Sequence, residues 1–188
     1  MHDAREGHYA VGAFNLLSIE HVRGAVRAAE ELRSPLIIQL AEVQFPCAPM
    51  EFMAPVYLEA ARRASVPVCV HLDHGQSFET CARALNLGFN SVMFDGAALS
   101  FDDNVAATRE VSRLAHAVGA DVEAELGKVG DAGAALSEAD ADVFTDPAEA
   151  ARFIEMTGIE ALAIAIGNQH GKYVATPHLN IGRLKEIA

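Results

Sequence analysis

At 188 residues the chain has the length of one large domain. Its 51% hydrophobic content, carried by Ala, Val, Leu and Ile with no Trp, excludes general disorder and suits aliphatic helices packed on a sheet. A formal charge of −12 argues against nucleic acid or an anionic membrane surface as the main partner, and leaves open a phosphorylated small molecule held by a locally cationic site. Cys47, Cys69 and Cys81 are odd in number and form no C-x-x-C pair, which points to a reducing, cytoplasmic setting. No apolar run reaches membrane-spanning length, and the start lacks a signal-peptide pattern.

Tyr9-Ala-Val-Gly-Ala-Phe-Asn15 reads as a first strand ending in a polar residue. Ser18 can cap the helix that follows, in which Val22, Ala25, Val26, Ala29 and Leu32 fall at helical spacing. Ser34-Pro35 breaks that helix, Leu36–Ala41 is a second buried strand, and 42–49 is loop. A helix is predicted over 50–64 and a third strand over Val66–Val70, running into His71, Asp73, His74 and Gly75. Ser77 opens a helix that Gly88 stops, and Asn90–Phe94 is strand four, closed by Asp95. A helix over 101–118 stops at Gly119, and Asp121–Leu126 is strand five. Asp146-Pro147 starts a short helix with Pro in its first turn, and Gly158 closes it. Ala161–Ile166 is strand six, followed by Gly167-Asn-Gln-His-Gly171 and a last helix over 181–187.

Six β-then-α units recur at a spacing of about 30 residues, with no composition shift to mark a linker, so residues 1–188 read as a single domain. Such alternation implies a parallel sheet with right-handed crossovers. The sheet can be open and doubly wound, or part of a (β/α)8 barrel. No Gly-x-Gly-x-x-Gly follows the first strand, which disfavours the nucleotide-binding open sheet. A complete barrel needs about 250 residues. The expected fold is therefore α/β, a TIM (β/α)8-type barrel with six of its eight units in this chain.

Polar residues recur at the same end of successive units: Asn15, Asp73 with His74, Asp95, Glu123 and Glu125, and His170. In a barrel these ends meet on one face, where active sites lie. Two histidines and several carboxylates on one rim form a candidate metal site, because neutral imidazole and carboxylate oxygen suit Zn²⁺. His71 is expected to hydrogen-bond beneath the site, Glu123 to form a structural ion pair, and His21, His116 and His178 to lie at the surface.

Val68-Cys-Val-His-Leu-Asp-His-Gly75, Ser91-Val-Met-Phe-Asp95, Val122-Glu-Ala-Glu-Leu-Gly127 and Ala163-Ile-Ala-Ile-Gly-Asn-Gln-His-Gly171 together resemble the class II, zinc-dependent fructose- and tagatose-bisphosphate aldolases. The opening Tyr9–Asn15 segment and Thr145-Asp-Pro147 fit the same family, so the likeness spans essentially the whole chain. The resemblance implies that His74 and His170 are zinc ligands. It implies that Asp73 is the acid/base exchanging a proton with the aldehyde oxygen, and that Asp95 and Glu125 hold the metal's alternative or second position. Asn15 and Gly171 would contact substrate, Gly171 through its backbone at the dihydroxyacetone phosphate moiety. The implied cofactor is Zn²⁺, with room for a second divalent or monovalent cation. The implied substrate is a phosphorylated sugar, and the implied assembly a homodimer or homotetramer.

The chain departs from the family pattern in three places. It stops before the seventh and eighth strands, which in the family supply a third histidine ligand and phosphate contacts. Ala41-Glu42 stands where the family often has a phosphate-contacting Ser or Thr, and 130–135 offers only Asp131 where a Glu–Asp pair is usual. Three readings follow: an aldolase lacking its last quarter, an inactive aldolase-like binding partner, or a Schiff-base aldolase using Lys128 or Lys172.

Overall fold

The computed structural model describes residues 2–127, 130–131, 144–173 and 176–188. A short helix, α1 (His2–Glu6), precedes strand β1 (Gly12–Asn15). Then follow α2 (Ile19–Leu32), β2 (Leu36–Ala41), α3 (Met50–Arg63), β3 (Val68–Gly75), α4 (Phe78–Leu87), β4 (Ser91–Phe94), α5 (Phe101–Ala117) and β5 (Asp121–Leu126). A two-residue strand β6 (Gly130–Asp131), α6 (Pro147–Thr157), β7 (Ala161–Ile164), a second two-residue strand β8 (Gln169–His170) and α7 (Ile181–Ile187) complete the order.

The main sheet runs β1-β2-β3-β4-β5-β7, and every neighbouring pair is parallel. Its strands follow sequence order without reversal. A doubly wound sheet reverses direction at a switch point, so this order is that of a partial barrel, as the six-unit alternation predicts.

Local chemistry sets the helix ends. Ser18, Ser77 and Ser100 accept from the backbone N–H groups of His21, Thr80 and Asp103, and Asp146 accepts from those of Ala148 and Glu149. The core lies between the sheet and its helices, with Ile38, Leu40, Val70, Leu72, Val92 and Val122 buried against Val22, Tyr57, Ala84, Val111 and Phe153. The Tyr57 hydroxyl donates to the Leu16 and Gln39 carbonyls, which pins α3 to the ends of β1 and β2. The opposite side chains, among them Ala13, Ile37, Gln39, Cys69, His71, Ser91 and Glu123, line the concave face as a trough of about 280 Å³.

Several boundaries differ from the sequence-based expectation. The first strand covers only Gly12–Asn15, and Glu42–Gln44 forms a 3₁₀ turn inside the segment read as loop. The sixth expected strand ends at Ile164. The third begins at Val68 and continues through Gly75, because it pairs with β2 as far as Ala41↔Asp73. Asp73 and His74 therefore belong to the strand itself. The small parallel ribbon of β6 and β8 was not foreseen; pairs of two residues are too short for a periodic signature.

Candidate active site at the carboxyl rim

The end of β3 is bent by a bulge. Leu72 pairs with Val92 but Gly75 pairs with Phe94, so three steps on β3 face two on β4. His74 takes up the extra residue with φ at +48°, in the left-handed region. Regular alternation would send Asp73 and His74 to opposite faces. The bulge instead brings them together, with His74 Nε2 3.9 Å from Asp73 Oδ1. Gly75 permits this: a Cβ there would lie 2.7 Å from the Met93 carbonyl oxygen.

Around this corner the polar residues converge. His74 Nδ1 lies 2.9 Å from Asp95 Oδ2 and 3.8 Å from Glu125 Oε2. The His74 and His170 rings meet edge to face, 4.9 Å between centroids. One ligand atom from each of His74, Glu125 and His170 falls within 4.8 Å of the others. Two imidazoles and a carboxylate are a donor set suited to Zn²⁺, so the residues present fit the metal that the sequence resemblance implies. Thr145 steadies the β5 side, donating through Oγ1 to the Leu126 carbonyl and accepting from the Ala165 N–H.

Electrostatics distinguish the members. The Asp95 hydrogen bond raises the His74 imidazole to about 9, aided by the nearby carboxylates of Asp73 and Glu125. The same contact lowers Asp95 below the usual carboxylate range. Burial, reinforced by Asp95, raises Glu125 to about 7. A cation held between them would replace the proton that His74 carries and would favour the ionised form of Glu125.

Of the residues singled out from sequence, Asp73, His74, Asp95, Glu125 and His170 come together. Asn15 reaches them through a 2.8 Å bond from Nδ2 to Asp73 Oδ2, and so touches a protein carboxylate. Gly171 follows His170 in a turn with φ at +80°, a conformation that favours glycine. His71 lies beneath, its Nδ1 2.7 Å from Ser91 Oγ and its Nε2 3.4 Å from Glu123 Oε2. His178 is exposed, and Lys172 is exposed just after His170. Lys128 and nearly all of the Gly/Ala-rich 128–142 segment, where a lid was expected, lie outside the described residues.

Sequence reasoning missed three supporting residues. Gln39 Nε2 donates to Asn15 Oδ1 at 3.2 Å. Gln76 Nε2 donates to Asp95 Oδ2 at 3.2 Å, and Glu42 accepts from the Gln76 N–H at 2.7 Å. Gln39 was detectable as the one polar side chain within the apolar run Leu36–Ala41.

A family model described as fructose-bisphosphate aldolase class-II matches residues 1–188. The chain belongs to the class II fructose-bisphosphate aldolase family. It is 41% identical over 192 residues to the fructose-bisphosphate aldolase of Giardia intestinalis, covering 99% of this chain and 58% of that protein. It is 38% identical over 193 residues to the fructose-bisphosphate aldolase of Staphylococcus aureus strain Mu50, covering 98% of this chain and 65% of that one. The crystal structure of the YdjI aldolase from Escherichia coli K12 superposes with a TM-score of 0.87 at 38% identity, over 99% of this chain and 65% of that chain. The family chain thus spans 58% to 66% of the length of the curated relatives it matches, and its six parallel strands correspond to part of their barrel.

Proposed function

We propose that this aldolase-family chain carries the metal-binding and acid–base portion of a ketose-bisphosphate aldolase. The reaction is aldol cleavage or condensation, converting fructose-1,6- or tagatose-1,6-bisphosphate to dihydroxyacetone phosphate and glyceraldehyde 3-phosphate. The observation that carries this reading is the convergence of His74, Glu125 and His170 beside Asp73 on the carboxyl rim.

His74 and His170 would hold Zn²⁺, with Glu125 as a third donor or as the ligand of an alternative position. When bound, the metal acts as a Lewis acid toward the negative charge that C–C cleavage leaves on the ketone fragment. Asp73 takes the proton from the hydroxyl that becomes the aldehyde oxygen, and returns it in condensation. Asn15 holds the Asp73 carboxylate in place through Oδ2, leaving Oδ1 for that exchange. Asp95 fixes the His74 ring by accepting from Nδ1, which leaves Nε2 as the ligating nitrogen. Gly171 offers its backbone to the phosphorylated ketone fragment. We place the protein in the cytoplasm as a homodimer or homotetramer; among the described residues, no helix is long and apolar enough to cross a membrane.

The test is aldol cleavage by this chain, read as triose phosphate release before and after chelation and after Zn²⁺ is restored. Activity that falls with chelator and returns with Zn²⁺ supports the reading. Activity that survives chelation and is trapped by borohydride would move the chemistry to a lysine. The alternative is an aldolase-like binding partner without activity of its own. That reading predicts Zn²⁺ binding with no cleavage.

A further inference from the structure

Gln76 is exposed and takes no part in the chemistry above, yet it is held at both its backbone and its side chain. Its N–H donates to Glu42 Oε2 at 2.7 Å. Its side-chain amide donates to Asp95 Oδ2 and to the His74 carbonyl, each at 3.2 Å. The other oxygen of Glu42 accepts from Thr80 Oγ1 at 3.1 Å, and the Thr80 N–H is capped by Ser77. An unbroken run of hydrogen bonds thus joins the end of β2, the first turn of α4 and the carboxylate that faces His74. An exposed glutamine gains little from such restraint for stability alone, since water would satisfy its amide equally well.

We propose that Gln76, anchored by Glu42, is a positioning residue for the metal centre, an inference that rests on the metal-dependent reading above. Its amide holds the Asp95 carboxylate in the rotamer that accepts the His74 Nδ1–H, which fixes the imidazole tautomer and ring plane. Asp95 then accepts three hydrogen bonds. Oδ2 takes His74 and Gln76, and Oδ1 takes the Ala97 N–H at 3.2 Å. Through these bonds it orients the His74 ring. Glu42, the departure from the family pattern beside Ala41, becomes the foot of this strut.

The experiment is a Zn²⁺ titration against a chromophoric chelator, together with the visible spectrum of the Co²⁺-loaded protein, on this chain and on Gln76→Met and Gln76→Glu. Methionine keeps the length without the donor; glutamate removes the donor and sets a second negative charge against Asp95. Zn²⁺ affinity is expected to fall about tenfold in Gln76→Met, the lower end of the range for outer partners of metal ligands, and at least as far in Gln76→Glu. The Co²⁺ bands should shift, while the melting temperature in chelator stays at the parent value. Parental Zn²⁺ affinity and Co²⁺ spectra in both variants would overturn the inference and leave the metal reading standing. A parent chain that binds neither ion stoichiometrically would overturn the metal reading, and this inference with it.

Discussion

Two histidines three positions apart on β3 have opposite fates. His74, on the rim, is raised to about 9 by its hydrogen bond to Asp95. His71, in the trough below, is 4% exposed and lowered to about 4 by burial. Two glutamates on β5 respond alike. Glu123 in the trough and Glu125 on the rim are both raised to about 7, burial being the first cause in each. Glu125 lies beside His74, whereas Glu123 faces a neutral imidazole. The same residue types on the same strands thus hold one imidazole charged on a metal-competent rim and the other neutral in the trough, and what separates them is one bulge residue and the presence of Asp95. Rim substitutions should therefore change rate or metal binding with little effect on stability, and trough substitutions the reverse.

The largest effect expected is on the rim. Asp73→Asn keeps the shape and the contact with Asn15 but cannot take a proton. In the aldolase reading kcat should fall roughly 10²–10⁴-fold, the usual worth of a positioned acid/base, with Zn²⁺ stoichiometry and melting temperature unchanged. Equal loss of Zn²⁺ would make Asp73 part of the metal shell and blur the division within the rim.

The trough is tested by pH. His71 stays neutral in the fold down to about 4 but takes a proton near 6.5 when unfolded. Above pH 6.5 both states are neutral and the group costs nothing. As pH falls from 6.5 toward 4 the unfolded state binds the extra proton, and stability is lost by up to about 3 kcal/mol. Glu123, protonated more readily in the fold than in the unfolded chain, has the opposite slope over part of this window. The readout is thus the difference between the parent and His71→Asn. That difference in urea-unfolding free energy should narrow steadily between pH 7 and pH 4.5. Parallel curves would mean that His71 ionises in the fold, and the contrast between the two imidazoles would not hold.

How far this division was legible in the sequence follows from what each signal encodes. The six units and their parallel order were readable because apolar strands and helices alternate regularly, with helix starts marked locally at Ser18, Ser77 and Asp146. The carboxyl-end cluster was readable because strand order and direction carry those ends to one face. The bulge at His74 was not, since it depends on the register between β3 and β4, which no periodicity within β3 reveals. Neither was the Gln76–Glu42 link, which joins residues 34 positions apart just past the ends of the neighbouring strands β2 and β3. Asn15 was assigned to substrate on resemblance alone, and the bond to Asp73 that gives it a second task exists only in three dimensions.

Asn15 also marks where the two regions meet, and the smallest effects are expected there. Its Nδ2 donates to Asp73 on the rim, while its Oδ1 accepts from Gln39, whose side chain lines the trough. Asn15→Ala should lower kcat by about tenfold, the worth of one partly exposed hydrogen bond to a charged carboxylate, with Zn²⁺ affinity kept. Gln39→Met should cost less, since Asn15 also has Gln44 Oε1 within 3.4 Å to hold its amide. If Gln39 acts only by orienting Asn15, it has nothing left to orient once Asn15 is gone, and the double variant should match Asn15→Ala alone. Additive losses in kcat would instead give Gln39 its own line to the reacting groups, and the boundary between rim and trough would then lie one residue deeper along β2.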